Sequence, residues 1–131
     1  MRSLHQQDKN LIWHPYTQHL IEPQPLVIER AKGAILYTTD GKEVLDLISS
    51  WWTTTHGHSH EKLNQVLIDQ AEKLDHVMFA GFSHRPAIQL ATKLVKTLPR
   101  NLDKVFFSDN GSTAVEVAIK IALQYWKNKG Y

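Results

Sequence analysis

Residues 106–113, Phe-Phe-Ser-Asp-Asn-Gly-Ser-Thr, join a short apolar run to the start of a helix through an Asn-Gly turn. A helix start carries about half a positive charge and several backbone N–H groups without helical partners. Gly111 lets a ligand approach the backbone, and Ser112 and Thr113 add hydroxyl groups. The pattern therefore predicts an anion site suited to a phosphate group. An ordinary capped turn is the alternative, because Thr113 and Glu116 match a capping box.

The same segment is not a nucleotide-triphosphate loop. No Gly-Lys-Ser/Thr follows the turn, and the glycine spacing is not that of a dinucleotide-binding fingerprint. These absences disfavour an enzyme that uses nucleotide triphosphates.

Residues 49–60 place two adjacent tryptophans ahead of three alternating histidines. In an extended backbone successive side chains point to opposite sides, so Trp51 and Trp52 cannot both face one core. One ring should then line a surface or a cleft, where it suits a ligand that is partly apolar and partly polar. Burial of both rings in a contact between subunits or domains is the alternative.

The three histidines of this segment are also candidates for a metal site. His56, His58 and His60 would project from one side of an extended chain. Gly57 interrupts any regular strand, however, and the segment contains no carboxylate before Glu61. We therefore favour a loop without bound metal.

A polar N-terminal segment, residues 1–25, shows neither a helical nor a strand period and predicts an extended arm. Its aromatic residues Trp13 and Tyr16 predict that the arm is docked on another surface. The Tyr16 hydroxyl group could reach a ligand there.

The elements that must position these residues follow from hydrophobic spacing. Three β-rich runs joined in part by an Asp-Gly turn predict a β-meander. Apolar stripes then predict two helices, a buried strand and a helix buried on nearly every side. The meander runs are residues 26–28, 34–37 and 43–48; the helices are residues 61–75, the stretch after Pro86 and residues 112–130; the buried strand is residues 104–108. This order predicts the opening of an α/β domain whose sheet is incomplete, and hence the N-terminal piece of a longer protein.

Composition narrows the class of protein further. The chain of 131 residues has 15 Lys+Arg, 13 Asp+Glu and no Cys, which excludes disulfides, thiolate metal sites and a cysteine nucleophile. Basic residues are scattered among acidic ones, so we expect no nucleic-acid partner. No stretch approaches the ~20 apolar residues that span a bilayer, and the N-terminus lacks a signal-like apolar run, so we expect no membrane contact and a cytoplasmic location.

Together these segments resemble the class III, fold-type I aminotransferases, which depend on pyridoxal 5′-phosphate. The resemblance is carried by residues 13–17 (Trp-His-Pro-Tyr-Thr), 46–57, 76–79 and 106–118. It implies an extended arm and β-meander of a small domain in residues 1–50. It also implies the start of the large coenzyme-binding α/β domain in residues 51–131.

The resemblance implies roles for five residues. Gly111 and Ser112 would bind the phosphate of the coenzyme, while Tyr16, Trp51 and Trp52 would form walls of the substrate pocket. No catalytic residue is assigned within the chain, because the family's Schiff-base lysine and its aspartate for the ring nitrogen would follow residue 131. The 131-residue chain alone is therefore expected to be inactive.

The Trp-His-Pro-Tyr-Thr and Ser-Ser-Trp-Trp elements indicate one branch of the family. In it, S-adenosylmethionine gives its amino group to 8-amino-7-oxononanoate through the coenzyme, forming 7,8-diaminononanoate for biotin synthesis. The resemblance also implies a homodimer. Three alternatives remain: another class III transaminase for ω-amino acids or diamines, a noncatalytic module that docks a partner through the aromatic arm, and a metal protein built on the histidines.

Overall fold

The computed structural model describes residues 3–131, which divide into two compact units. The first unit ends at Asp75 and the second is His76–Tyr131. The first contains α1 Leu4–Leu11, β1 Ile28–Lys32, β2 Ile35–Thr38, β3 Glu43–Leu45, a one-turn element α2 Ser49–Trp52 and α3 Glu61–Ala71; the second contains α4 Arg85–Val95 and α5 Gly111–Asn128. The domain boundary expected after residue 50 stays a prediction.

The N-terminal arm is not wholly extended, so that expectation is wrong for its first third. Helix α1 begins after Ser3, whose side chain accepts a hydrogen bond from the Gln6 N–H at 3.2 Å. Only Leu4 and Leu11 of this helix are apolar, so its hydrophobic residues were too few to predict a helix, and the Ser3 cap stabilises its start. Beyond the helix, His14 Nε2 lies 3.0 Å from a carboxylate oxygen of Asp8 and ties the following segment back to α1.

The predicted β-meander is confirmed. Strands β1, β2 and β3 form one antiparallel sheet in that order, with Ile35 opposite Leu45 in the second pair. Gly41, between β2 and β3, has a φ of +83°, the left-handed conformation that the Asp-Gly turn predicted. The sheet therefore provides a local frame, and the segment that follows β3 starts from its edge.

Both amphipathic helices are also present. Helix α3 ends at Ala71, four residues before the predicted limit, and α4 has Pro86 in its first turn as expected. The His84 ring caps α4 by accepting a hydrogen bond from the Ala87 N–H at 3.3 Å. The ring of Phe79 stacks on His84 with centroids 5.1 Å apart.

Two expectations about burial and pairing are wrong for the described residues. Residues 104–108 form no strand, and α5 contains no buried residue although it is apolar on most sides. A strand exists only through hydrogen bonds to a neighbouring strand, and burial needs a covering surface. The described part of the chain supplies neither for these two segments.

Very little of the described chain is buried. Of residues 3–131, only Thr38 and Ala87 are buried. No helix of the described residues is both long enough and apolar enough to cross a membrane. The two units thus carry local structure with little core of their own.

Candidate functional site

The N-terminus of α5 is held by a closed hydrogen-bond ring. Asn110 is the N-cap: its side-chain oxygen accepts from the Thr113 N–H at 3.0 Å, and its own N–H donates to the Thr113 hydroxyl oxygen at 3.2 Å. Ser108 and Thr113 also share a hydrogen bond between their hydroxyl groups. The capped turn offered as the alternative is therefore present, but its capping box is formed by Asn110 and Thr113 rather than by Thr113 and Glu116. Glu116 instead pairs with Lys120 at 2.7 Å.

This cap leaves two N–H groups free at the first two positions of α5. The Thr113 N–H bonds to the cap, and the Ala114 N–H donates to the Asn110 carbonyl at 3.0 Å. The N–H groups of Gly111 and Ser112 have no partner among the described residues. A Cβ atom on Gly111 would meet no atom within 4 Å, and its φ is not in the positive region. Open space beside two free donors and a helix N-terminus fits a phosphate group.

The Ser49–Trp52 segment adopts a left-handed helical turn. All four residues have positive φ, between +46° and +63°. Hydrogen bonds from the Trp52 N–H to the Ile48 carbonyl (2.9 Å) and from the Thr53 N–H to the Ser49 carbonyl (3.0 Å) close the turn. Each non-glycine residue in this conformation costs about 1–2 kcal/mol. The assumption of an extended backbone at the tryptophan pair is therefore wrong.

A carboxylate at the end of the sheet contacts this turn. Asp46 accepts hydrogen bonds from the Ser50 N–H at 3.0 Å and the Ser50 hydroxyl at 2.8 Å, and its other close partner is His58 Nε2 at 2.8 Å. The side chains of Asp46 and His58 are only 6% and 16% exposed. The Ser50 N–H, followed by the His58 contact, lowers the pKa of Asp46 from 3.8 to about 2. Asp46 is thus ionised at neutral pH.

His58 is fixed through its backbone as well as its ring. It pairs with Gly33 through two main-chain hydrogen bonds, of 2.8 Å and 3.0 Å. The chains approach so closely here that a Cβ atom on Gly57 would lie 3.1 Å from the Gly33 Cα atom. The loop that follows the tryptophans is therefore tied to the first turn of the sheet.

The first unit brings two of the three predicted pocket residues together. The rings of Tyr16 and Trp51 meet edge to face, with centroids 5.5 Å apart. Both rings are exposed to solvent, Tyr16 at 90% and Trp51 at 57%. Trp52, the third predicted pocket residue, is 79% exposed. Their role as pocket walls stays a prediction, as does the role of Gly111 and Ser112 in the second unit.

The histidine segment does not assemble a ligand set. The His56 and His60 rings lie 6.1 Å apart, while His58 turns to Asp46. Within residues 3–131 no three side chains of the metal-binding types form a group that could hold an ion.

The link from Asp46 to Ser50 and His58 was not predicted from the sequence. No periodic signal joins positions 46 and 58, because the contact depends on the turn conformation between them. The only available hint was that a carboxylate, Asp46, lies inside the β-rich run 43–48 just before the tryptophan segment.

The family model for class-III aminotransferases matches residues 16–131, and the chain belongs to that family. More particularly, it is 55% identical over 117 residues to adenosylmethionine-8-amino-7-oxononanoate aminotransferase of Synechococcus elongatus. That match covers 89% of this chain and 28% of the relative.

Solved structures agree with this assignment. The crystal structure of adenosylmethionine-8-amino-7-oxononanoate aminotransferase from Methanocaldococcus jannaschii matches with a TM-score of 0.90 at 43% identity, over 97% of this chain and 30% of that one. An omega transaminase of Pseudomonas jessenii in complex with PMP matches with a TM-score of 0.83 at 34% identity, over 91% and 27%. The chain therefore has the fold of the N-terminal part of these enzymes and spans less than a third of their length.

Proposed function

We propose that the enzyme containing this chain transfers the amino group of S-adenosylmethionine to 8-amino-7-oxononanoate, giving 7,8-diaminononanoate for biotin synthesis. The observation that carries the proposal is the 55% identity to a relative named for this reaction. The free N–H groups at the start of α5 support it, because they suit the phosphate of a pyridoxal coenzyme.

In this proposal Gly111 and Ser112 hold the coenzyme. Their backbone N–H groups donate to the phosphate oxygens, the Ser112 hydroxyl adds a third donor, and the α5 N-terminus favours the negative charge. When bound, pyridoxal 5′-phosphate supplies a conjugated ring that accepts the electrons released as a Cα proton leaves the substrate. The capping ring of Asn110 and Thr113 keeps the two donors aligned without using them.

Tyr16, Trp51 and Trp52 line the substrate pocket in the same proposal. The edge-to-face contact of Tyr16 with Trp51 places a hydroxyl group beside a large apolar ring. Such a pair suits substrates that combine an apolar chain with polar groups, since the rings exclude water and the hydroxyl orients the amine. In this proposal the rings of Tyr16 and Trp51 shape the pocket, and the Tyr16 hydroxyl orients the substrate amine.

The lysine that binds the coenzyme covalently belongs, in this proposal, to residues after 131. None of the lysines of this chain matches the family's motif for it. We therefore expect the 131-residue chain by itself to be inactive. A homodimer and a cytoplasmic location stay predictions from the family resemblance and from the composition.

Purified full-length protein tests the proposal directly. It should transfer an amino group from S-adenosylmethionine to 8-amino-7-oxononanoate, with 7,8-diaminononanoate detected by mass spectrometry. A strong preference for an ω-amino acid or diamine donor would instead favour the second candidate, a broader class III transaminase. That candidate is favoured by the 34% identity to an omega transaminase.

A further inference from the structure

We propose that Asp46 is a positioning residue whose carboxylate holds the left-handed turn Ser49–Trp52 and so places Trp51 against Tyr16. The inference rests on the proposed function, in which these two rings wall the substrate pocket. It assigns Asp46 no contact with substrate or coenzyme.

The turn needs an anchor outside itself. Four consecutive non-glycine residues with positive φ are disfavoured by contacts between Cβ and the backbone. Such a conformation persists only where the surrounding structure determines it. Asp46 meets this need at the second residue of the turn, because it accepts both the backbone N–H and the hydroxyl of Ser50, at 3.0 Å and 2.8 Å.

Asp46 itself is fixed on two sides. Its N–H donates to the Ala34 carbonyl at 2.8 Å, which ties its backbone to the meander. Its carboxylate meets His58 Nε2 at 2.8 Å, and the His58 backbone is in turn paired with Gly33. A continuous set of hydrogen bonds therefore runs from the sheet, through Asp46, to the residue that precedes Trp51.

The charge of the carboxylate suits this role. An ionised acceptor makes shorter and stronger hydrogen bonds than a neutral one. The lowered pKa of Asp46, about 2, keeps it ionised at neutral pH. The low exposure of the side chain limits competition from water.

The test uses full-length protein labelled with 5-fluorotryptophan and studied by fluorine NMR. The Trp51 signal is assigned by its loss in Trp51→Phe. We expect Asp46→Ala and His58→Ala to move that signal toward the position of an exposed tryptophan, with a smaller movement in Ser50→Ala, which keeps the backbone N–H. His58→Gln restores a side-chain N–H donor and should bring the signal back. Asp69→Ala is the control, because Asp69 contacts only Gln65 of its own helix among the bonds described.

Steady-state kinetics supply the second readout. If Trp51 is misplaced, the KM for S-adenosylmethionine should rise at least about tenfold in Asp46→Ala, because small displacements of positioning groups cost that much or more. Coenzyme absorbance should stay unchanged, since Gly111 and Ser112 are untouched. A merely structural role would lower the amount of folded enzyme without changing KM.

An unmoved Trp51 signal in Asp46→Ala and His58→Ala would overturn the proposal. If Asp46→Ala does not fold, Ser50→Ala and His58→Ala decide, because each removes one side-chain partner of Asp46, and an unmoved Trp51 signal in both would overturn the proposal. Loss of the proposed function gives a different result, since wild-type protein would then show no transfer while the Trp51 signal still responded to the variants.

Discussion

Substitution of Gly111 by proline removes one of the two free N–H donors with little change to the fold. Gly111 is the first residue of α5, a position where proline is favoured because its missing N–H would have no helical partner. The preceding residue, Asn110, is extended, with φ −157° and ψ 176°, as the residue before a proline prefers. The capping ring uses the N–H groups of Asn110 and Thr113 and not that of Gly111.

The expected loss follows from the strength of the bond removed. A hydrogen bond to a charged group contributes about 1.5–3 kcal/mol, which corresponds to a Kd about 10- to 150-fold higher for pyridoxal 5′-phosphate. The free energy of unfolding of the coenzyme-free enzyme should change by less than about 0.5 kcal/mol. Equilibrium dialysis of coenzyme-free, full-length protein measures the Kd for pyridoxal 5′-phosphate, and urea unfolding measures the free energy of unfolding.

Glu61→Pro is the matched control. Glu61 is the first residue of α3 and also follows an extended residue, His60, with ψ 119°. This variant should bind the coenzyme as the wild type does. An unchanged Kd in Gly111→Pro, with α5 intact by circular dichroism, would refute the assignment of the phosphate site. A similar loss in Glu61→Pro would show that proline disturbs the protein more generally.

Three further predictions concern the first unit of the full-length enzyme. Gly57→Ala should lower the free energy of unfolding by about 1–3 kcal/mol, measured in urea, because Gly57 has φ +82° and a Cβ atom would lie 3.1 Å from Gly33. Asp46 has a folded pKa of about 2, below its ordinary 3.8, so its stabilisation is complete above pH 4 and is lost as pH falls toward 2. Between pH 4 and pH 2, the free energy of unfolding should therefore fall less steeply in Asp46→Asn than in the wild type. Trp51→Ala should raise the KM for S-adenosylmethionine about tenfold or more in initial-rate assays, and more than Trp52→Ala. Among the ring contacts of residues 3–131, that of Trp51 reaches Tyr16 and none joins Trp52 to a predicted pocket residue.

Each of these predictions has a distinct contrary result. Gly81→Ala is the control for the glycine variant, since Gly81 has φ +88° but no atom within 4 Å of a Cβ. Equal losses in the two variants would contradict the close approach to Gly33. An acid titration of Asp46→Asn that is parallel to the wild type would show that the carboxylate is not stabilised in the folded state. Equal KM values for Trp51→Ala and Trp52→Ala would contradict the prediction that Trp51 contributes more than Trp52 to substrate binding.

The local elements were largely predictable from sequence because their causes are local. The Asp-Gly turn at Gly41 and the apolar stripe of α4 specify a meander and a helix from neighbouring residues alone. Helix α1 was not predicted because it contains only two apolar residues, Leu4 and Leu11. The strand expected at residues 104–108 is absent because strand formation depends on partners that a local pattern cannot supply.

The candidate site likewise contains features that the sequence predicts and features that depend on the tertiary structure. The sequence alone indicated that a helix begins near Ser112, because an apolar helical run starts there and the first N–H groups of any helix lack helical partners. The structure starts the helix at Gly111, with Asn110 as an extended N-cap rather than part of a tight turn. Only the tertiary structure decided that Ser49–Trp52 is left-handed, that Asp46 contacts Ser50 and His58, and that Tyr16 meets Trp51. The contacts of Asp46 with His58 and of Tyr16 with Trp51 join positions 12 and 35 residues apart, and such pairings depend on how the chain folds over a long range rather than on neighbouring residues.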